Sequence, residues 1–322
     1  MNLSPPVHPM LARPVTALPP AEAGPAVFEQ KADGFRALVF AGPEPFLQSR
    51  RGSDLGLAFP ELVEAAAVLG VEAVLDAELV VWGADGLDFA ALQERARRRG
   101  ATAGRAALER PAHLIVFDVL ELAGVVHLDE PLRQRRAVLE ELFAGRRLTA
   151  PWALCPQTSD RETALGWLDP VWGAAGVEGL VIKDPRSRYR PGERGWLKLR
   201  TRVTVEGIIG AVTGRVTAPR SLLLGRLDAA GRLRLAARST PLSRRASGEL
   251  GDVLRPAGAE HPWWGRTFSA GWGTKEPLAF HPVVPDLVAE VEADTAVDLG
   301  RHRHPVRYLR LRDDMDPEDV RQ

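Results

Sequence analysis

Apolar and polar residues alternate along several short stretches of the chain: "FRALVF" (35–40), "AVLDAELVVW" (73–82), "HLIVFDVLEL" (113–122) and "EGLVIKD" (178–184). A period of two sends successive side chains to opposite faces, so each stretch predicts a half-buried β-strand. Between them, "PELVEAAAVLG" and "DFAALQERARRRG" carry apolar residues at helical spacing. Strands and helices interleave without a strict βαβ repeat, which predicts an α+β class with largely antiparallel sheets. After "GWLKLRTRVTVEG" the pattern becomes strand-rich, with one helix around "SRRASGELGDVL" and a tight turn at "DAAGR". Short strands around a single helix predict a small five-stranded β-barrel. The boundary falls near residue 202, giving domains 1–202 and 203–322.

Composition narrows the partners. The 322 residues are 45% hydrophobic and 26% charged with a formal net charge of zero, enough apolar material for two cores and no global basic field. Residues 1–202 hold 25 basic against 26 acidic side chains and the remainder 17 against 16, so an anionic partner must be met by local patches. The apolar runs are strand-length and broken by acids, and "MNLSPPVHPMLARPV" has neither the basic start nor the apolar core of a signal peptide. The expectation is a cytoplasmic protein without a membrane partner. A single cysteine, Cys155 in "PWALCPQ", excludes a disulfide framework and a zinc site built from four thiolates and reads as a small buried group.

The lysines change the picture. Arginine supplies 38 of the 42 basic residues, so each of the four lysines stands out. The two side chains differ where chemistry needs an amine that can lose its proton. Lys275 in "GWGTKEP" reads as a solvated turn residue, whereas Lys31, Lys183 and Lys198 each sit in a compact charged motif. In "VFEQKADGFRALVF", two strands flank "ADG", where Gly34 is expected to take a positive φ; Lys31, Asp33 and Arg36 then gather at one sheet rim. In "EGLVIKD", Glu178 and Lys183 bracket a buried strand, and in "WLKLR", Lys198 and Arg200 share a face. In "VLDAELVVW", Asp76 and Glu78 share a face and are candidate oxygen donors for a hard cation such as Mg²⁺.

Together these motifs, in this order, resemble the ATP-dependent DNA ligases, specifically the small bacterial kind. The likeness runs from "PPVHPMLA" to "VRYLRLRDDMDPEDV" and so covers nearly the whole chain. It implies an α+β nucleotidyltransferase domain, ATP-grasp-like with antiparallel sheets and helices, followed by an OB-fold domain. It also implies a reaction: Lys31 attacks the α-phosphate of ATP to form a lysyl-AMP phosphoramidate, the AMP passes to the 5′-phosphate of a nick in duplex DNA, and the 3′-hydroxyl seals the strand. Closure of the second domain over the nucleotide would accompany the cycle.

By the same resemblance Asp33 and Arg36 belong to the nucleophile motif and Glu29 lies against the adenine edge. Arg50 contacts ribose and phosphate, with Arg51 the alternative. Glu78 meets the ribose or a metal, Glu178 helps to hold metal, and Phe117 stacks on adenine, although a phenylalanine in an apolar strand also reads as core. Lys183 and Lys198 reach the phosphates, aided by Mg²⁺ or Mn²⁺, and Arg200 replaces a second lysine with its charge in a different geometry. The C-terminal motif departs from the family's R-x-D-K: it reads Arg312, Asp313, Asp314, Met315, so orientation of pyrophosphate is expected to lean on Arg310 and Arg312.

DNA phosphates are expected on "ERARRRGATAGR" (Arg95, Arg97, Arg98, Arg99, Arg105) and "PRSRYRPGERG" (Arg186, Arg188, Arg190, Arg194). The enzyme is expected to act as a monomer in DNA repair, with repair or clamp proteins as possible recruiters. RNA ligases and capping guanylyltransferases use the same lysine chemistry, and a binding module with a degenerate site is the non-enzymatic alternative.

Overall fold

In the computed structural model the chain divides into two compact units, Met1–Thr201 and Arg202–Gln322. Residues 1–84, 86–269, 276–298 and 300–321 are described; Lys275 lies outside them. Among the described residues no helix is long and apolar enough to cross a membrane.

The first unit is built on two sheets that share a core. One orders its strands Ala12–Val15, Trp196–Arg200, Val177–Lys183, Val27–Ala32 and Gln157–Thr158. In the other, Phe46–Ser49, Phe35–Ala41, Ala73–Val81, Ala112–Leu122 and Val125–Val126 follow in order, and Trp152–Leu154 pairs with Ala112–Leu122. Most pairs are antiparallel, as the pattern predicted; Ala12–Val15 against Trp196–Arg200 and Trp152–Leu154 against Ala112–Leu122 run parallel.

Alternation decides which face each residue serves. Ala37, Val39, Leu75, Ala77 and Leu79 form a core with Leu62 and Ala66 of helix Pro60–Ala67 and Leu139 and Leu142 of helix Leu132–Arg146. Their neighbours Leu38, Phe40 and Val74 face the other way and join Phe117, Trp196, Met10, Tyr189 and Cys155 in a second cluster. Cys155 is buried there, as expected from its context, and burial pushes its thiol pKa up. Phe28, Leu180, Ile182 and Leu199 close the far face of the five-stranded sheet.

The segment around Lys31 departs from the expected hairpin. Strands Val27–Ala32 and Phe35–Ala41 belong to different sheets, so "DG" carries the chain from one sheet to the other. Nor is Gly34 among the positive-φ glycines. A Cβ on it would lie 2.4 Å from Leu79 O and 2.9 Å from Glu78 Cγ, so glycine is required by close approach to the neighbouring strand.

The second unit orders strands Leu233–Arg238, Ala218–Leu227, Arg202–Arg215, Val288–Asp294 and Arg307–Leu311, with His281–Pro282 also paired to Arg202–Arg215. A parallel bridge between Ser239 and Val306 joins the two ends of that path, which curls the sheet closed. Helix Arg244–Val253 packs on it through Leu250, capped by Ser243 accepting from Ala246 N–H at 3.1 Å.

A fully buried pair braces the first unit. Arg135 grips both oxygens of Asp118 at 2.8 and 2.9 Å and donates to the carbonyls of Glu130 and Ser187. Removing the guanidinium leaves Asp118 charged and alone in the core. Arg135→Ala should therefore destabilise the unit by about 3–5 kcal/mol, read as an earlier unfolding transition in denaturant.

Candidate active site

The two sheets present charged residues toward each other where their shared core opens. On the five-stranded sheet, Val181 lies opposite both Glu29 and Lys198, so these residues share one face with Lys31 and Arg200. The ladder between Val177–Lys183 and Val27–Ala32 slips between Val177 and Leu180, and this bulge turns Glu178 onto the face of Lys31. Gly179 permits it: φ is +140° and a Cβ would lie 2.1 Å from Leu199 O. On the opposing sheet, a second bulge inserts Phe117 between the residues paired with Asp76 and Ala77.

Lys31 is partly exposed, and its Nζ lies 2.9 Å from Glu178 Oε2; Arg200 Nε reaches the same oxygen at 3.4 Å. Burial alone would raise the Glu178 pKa, but Lys31, a hydrogen bond shared with Asp33, and Arg200 outweigh it and hold the carboxylate at about 2. Glu78 behaves oppositely. Burial pushes it up to about 7, against the pull of Lys31 and Arg36 and with further repulsion from Glu178 and Asp33. Three carboxylates thus meet around Lys31.

The cations divide into two groups. Lys198 is half-buried, and burial together with Arg200, Lys31 and Arg50 lowers its pKa; the exposed Arg50 thereby joins the Lys31 group. Lys183 stands apart. It is 1% exposed, 2.6 Å from the equally buried Glu29, and its Nζ lies 4.2 Å from the Trp196 ring centre and 4.7 Å from that of Phe117. Gln157 Nε2 donates to the other Glu29 oxygen at 2.8 Å. Lys183 and Lys198, both assigned to the phosphates from sequence, therefore occupy separate environments.

Two expectations need correction. Asp76 is not open to a cation: it is fully buried, gripped by Arg36 through Nε and Nη2, and accepts a hydrogen bond from Tyr189 Oη at 2.6 Å. Burial would lower the Arg36 pKa, yet Asp76 keeps it raised and the guanidinium charged. Arg95 is no DNA contact either. It is buried, bonded to Glu61 and to Arg110 O, and lies 4.9 Å over Phe59; Arg97, Arg99 and Arg105 remain exposed.

The remaining candidates lie as follows. Phe117 is 9% exposed, with Arg36 4.6 Å from its ring centre and Trp196 edge-on at 6.2 Å. In the second unit Arg312 is held by Asp314 at 2.8 and 2.9 Å and by Glu206 at 3.0 Å, and Arg310 by Glu290 at 2.7 Å. Met315 packs against the cluster containing Trp263 and Leu223, which gives a physical reason for an apolar residue there. Gln157, Tyr189 and Trp196 were missed from sequence. Only the alternation in "RYR", one apolar ring between two arginines, signalled an inward residue.

No group of three or more His, Cys, Asp or Glu among the described residues forms a ready metal cage. Mg²⁺ does not require one, since it binds through one or two carboxylates with water and phosphate oxygens completing its shell. The carboxylates of Glu78 and Glu178, interacting across the site, fit that demand.

Glu78 gives a pH test. Its ordinary pKa of 4.5 rises to about 7 in the folded state, so the folded protein binds the extra proton and loses stability as pH climbs from about 4.5 to about 7. Without divalent cations, Glu78→Gln should melt above the wild type at pH 8, by at most about 3 kcal/mol and less for a carboxyl that is partly exposed. The gap should close toward pH 5, which a pair of melting series would show.

Comparison with known proteins converges on one family. The family profile described as "ATP dependent DNA ligase domain" matches residues 9–200. DNA ligase C of Mycobacterium tuberculosis is 33% identical over 98% of this chain and 93% of its own length. DNA ligase C1 of Mycolicibacterium smegmatis is 34% identical with the same coverage. Among solved structures, the ligase domain of M. tuberculosis LigD covers 98% of both chains at 29% identity with a TM-score of 0.52. A mycobacterial DNA ligase D complexed with ATP and MES matches with a TM-score of 0.53, also at 29% identity. Set beside the lysine, carboxylates and cations gathered between the two sheets, these likenesses show that the chain belongs to the ATP-dependent DNA ligase family.

Proposed function

We propose that the chain seals 5′-phosphate/3′-hydroxyl nicks in duplex DNA, with ATP as the source of an AMP carried on Lys31. The observation that carries this reading is the partly exposed Lys31 Nζ, 2.9 Å from Glu178 and beside Lys198, Arg200 and Arg50. One amine faces a site rich in both carboxylates and cations, which is what nucleotidyl transfer needs.

Lys31 Nζ must shed a proton before it attacks, and Glu178, ionised 2.9 Å away, orients the amine. Attack on the α-phosphorus forms the N–P bond as the bond to pyrophosphate breaks. A 5′-phosphate oxygen of the nick then displaces Lys31, and the 3′-hydroxyl displaces AMP. Lys198, Arg200 and Arg50 take the phosphate oxygens, while Asp33 acts with Glu178 at the nucleophile. Glu29 and Lys183, with Gln157, take the base end beside Phe117, and Arg36 lies beneath the nucleotide. Glu78 and Glu178 would hold Mg²⁺ or Mn²⁺, which when bound neutralises phosphate charge.

In the same reading, Met1–Thr201 is the adenylation domain and Arg202–Gln322 an OB-fold, supported by its closed sheet and by one long helix among its described residues. Arg312 serves pyrophosphate only by leaving its carboxylates. Exposed Arg186, Arg188, Arg190 and Arg194 meet DNA phosphates, so sealing weakens steeply with salt. The enzyme works as a monomer, and DNA repair is the process it serves.

Purified protein with Mg²⁺ and ATP should seal a 5′-phosphorylated nick, and Lys31→Ala should abolish both sealing and AMP labelling. Sealing by Lys31→Ala at the wild-type rate would overturn the assignment of the nucleophile.

A further inference from the structure

The stretch "PRSRYRPGERG" faces two ways. Arg188 and Arg190 are exposed and lean on Asp129 at 3.5 and 3.3 Å, whereas Tyr189 between them is fully buried. Its backbone is anchored by Tyr189 N–H to Leu128 O at 2.9 Å, and Arg135 lies 5.7 Å over its ring.

The Tyr189 hydroxyl has two buried partners. It donates to Asp76 Oδ2 at 2.6 Å and accepts from Met10 N–H at 2.9 Å. Asp76 in turn takes Nε and Nη2 of Arg36, and Met10 O accepts from Nη2 at 3.2 Å. Asp76 and Met10, which take the hydrogen bonds of the Arg36 guanidinium, are therefore tied together by the Tyr189 hydroxyl. Nη1 makes no hydrogen bond among the described residues, and the guanidinium carbon lies 4.6 Å from the Phe117 ring centre and 5.2 Å from that of Trp196. A fork held on one edge presents its free nitrogen in one direction.

We propose that Tyr189 is a positioning residue for nucleotide binding: through Asp76 it turns Arg36 so that Nη1 faces the bound nucleotide beside Phe117. This rests on the ligase reading above and names a residue outside its motifs. Because Tyr189 lies between Arg188 and Arg190, the same segment that meets DNA phosphates also sets the nucleotide pocket. A bond to an ionised, buried carboxylate is strong, so its loss is felt by the guanidinium that the carboxylate holds.

The test is Lys31 labelling by ATP in the absence of DNA, with ATP concentration varied. Tyr189→Phe removes only the hydroxyl. It should raise the half-saturating ATP concentration about tenfold and change the limiting rate by less than about twofold. Arg36→Lys, which leaves the Tyr189–Asp76 bond in place, should raise half-saturation at least as far. The double variant should be no worse than Arg36→Lys alone, since both changes act through one nitrogen. A general loosening of the fold would instead lower the limiting rate and add to Arg36→Lys. Unchanged half-saturation in either single variant, or additive losses in the double, would overturn the proposal. Wild-type protein that takes no label would instead count against the ligase reading itself.

Discussion

A sheet face that closes a core is ordinarily apolar, and here it carries Glu29, Lys31, Lys183, Lys198 and Arg200. Those that are deeply buried persist only when paired, because desolvation costs several kcal/mol for each unpaired ion. Lys183 with Glu29, Lys31 and Arg200 with Glu178, and Arg36 with Asp76 meet that demand. The bulges at Glu178 and Phe117 and the glycines at 34 and 179 are the backbone adjustments that let these pairs form. Change the pairing and the two sheets lose the geometry that holds Lys31.

Pairing also sorts the cations by task. Lys183 is buried against Glu29, Trp196 and Phe117 and has little freedom to follow a reacting phosphate. Lys198, half-buried beside Arg200 and Arg50, is held among like charges whose mutual repulsion an arriving polyphosphate relieves. On the proposed mechanism the site is rigid where it would read a base and unsatisfied where it would receive charge. That unevenness suits electrostatic catalysis, which depends on groups oriented before the substrate arrives.

Much of this was readable in the sequence. Alternating apolar residues marked the strands and a change of pattern near 202, where the two compact units divide, and rare lysines marked charged motifs that the fold brings together. What escaped was pairing between distant segments. Nothing local in "ADG" says that the strands on either side join different sheets, and only the approach of Gly34 to Leu79 explains the glycine. Asp76 and Glu78 look equivalent at two-residue spacing, yet Arg36 and Tyr189 claim one and leave the other at the open site. Arg95 looked like part of a basic patch until Glu61, 34 positions earlier, was seen to take it inward.

On the proposed mechanism Lys31, and no other lysine, carries the AMP. Peptide mapping after incubation with Mg²⁺ and ATP labelled at the α-phosphate tests it most directly. The account predicts one acid-labile AMP, located on Lys31. Label on Lys198 or Lys183, or no label in protein that still seals nicks, would contradict it.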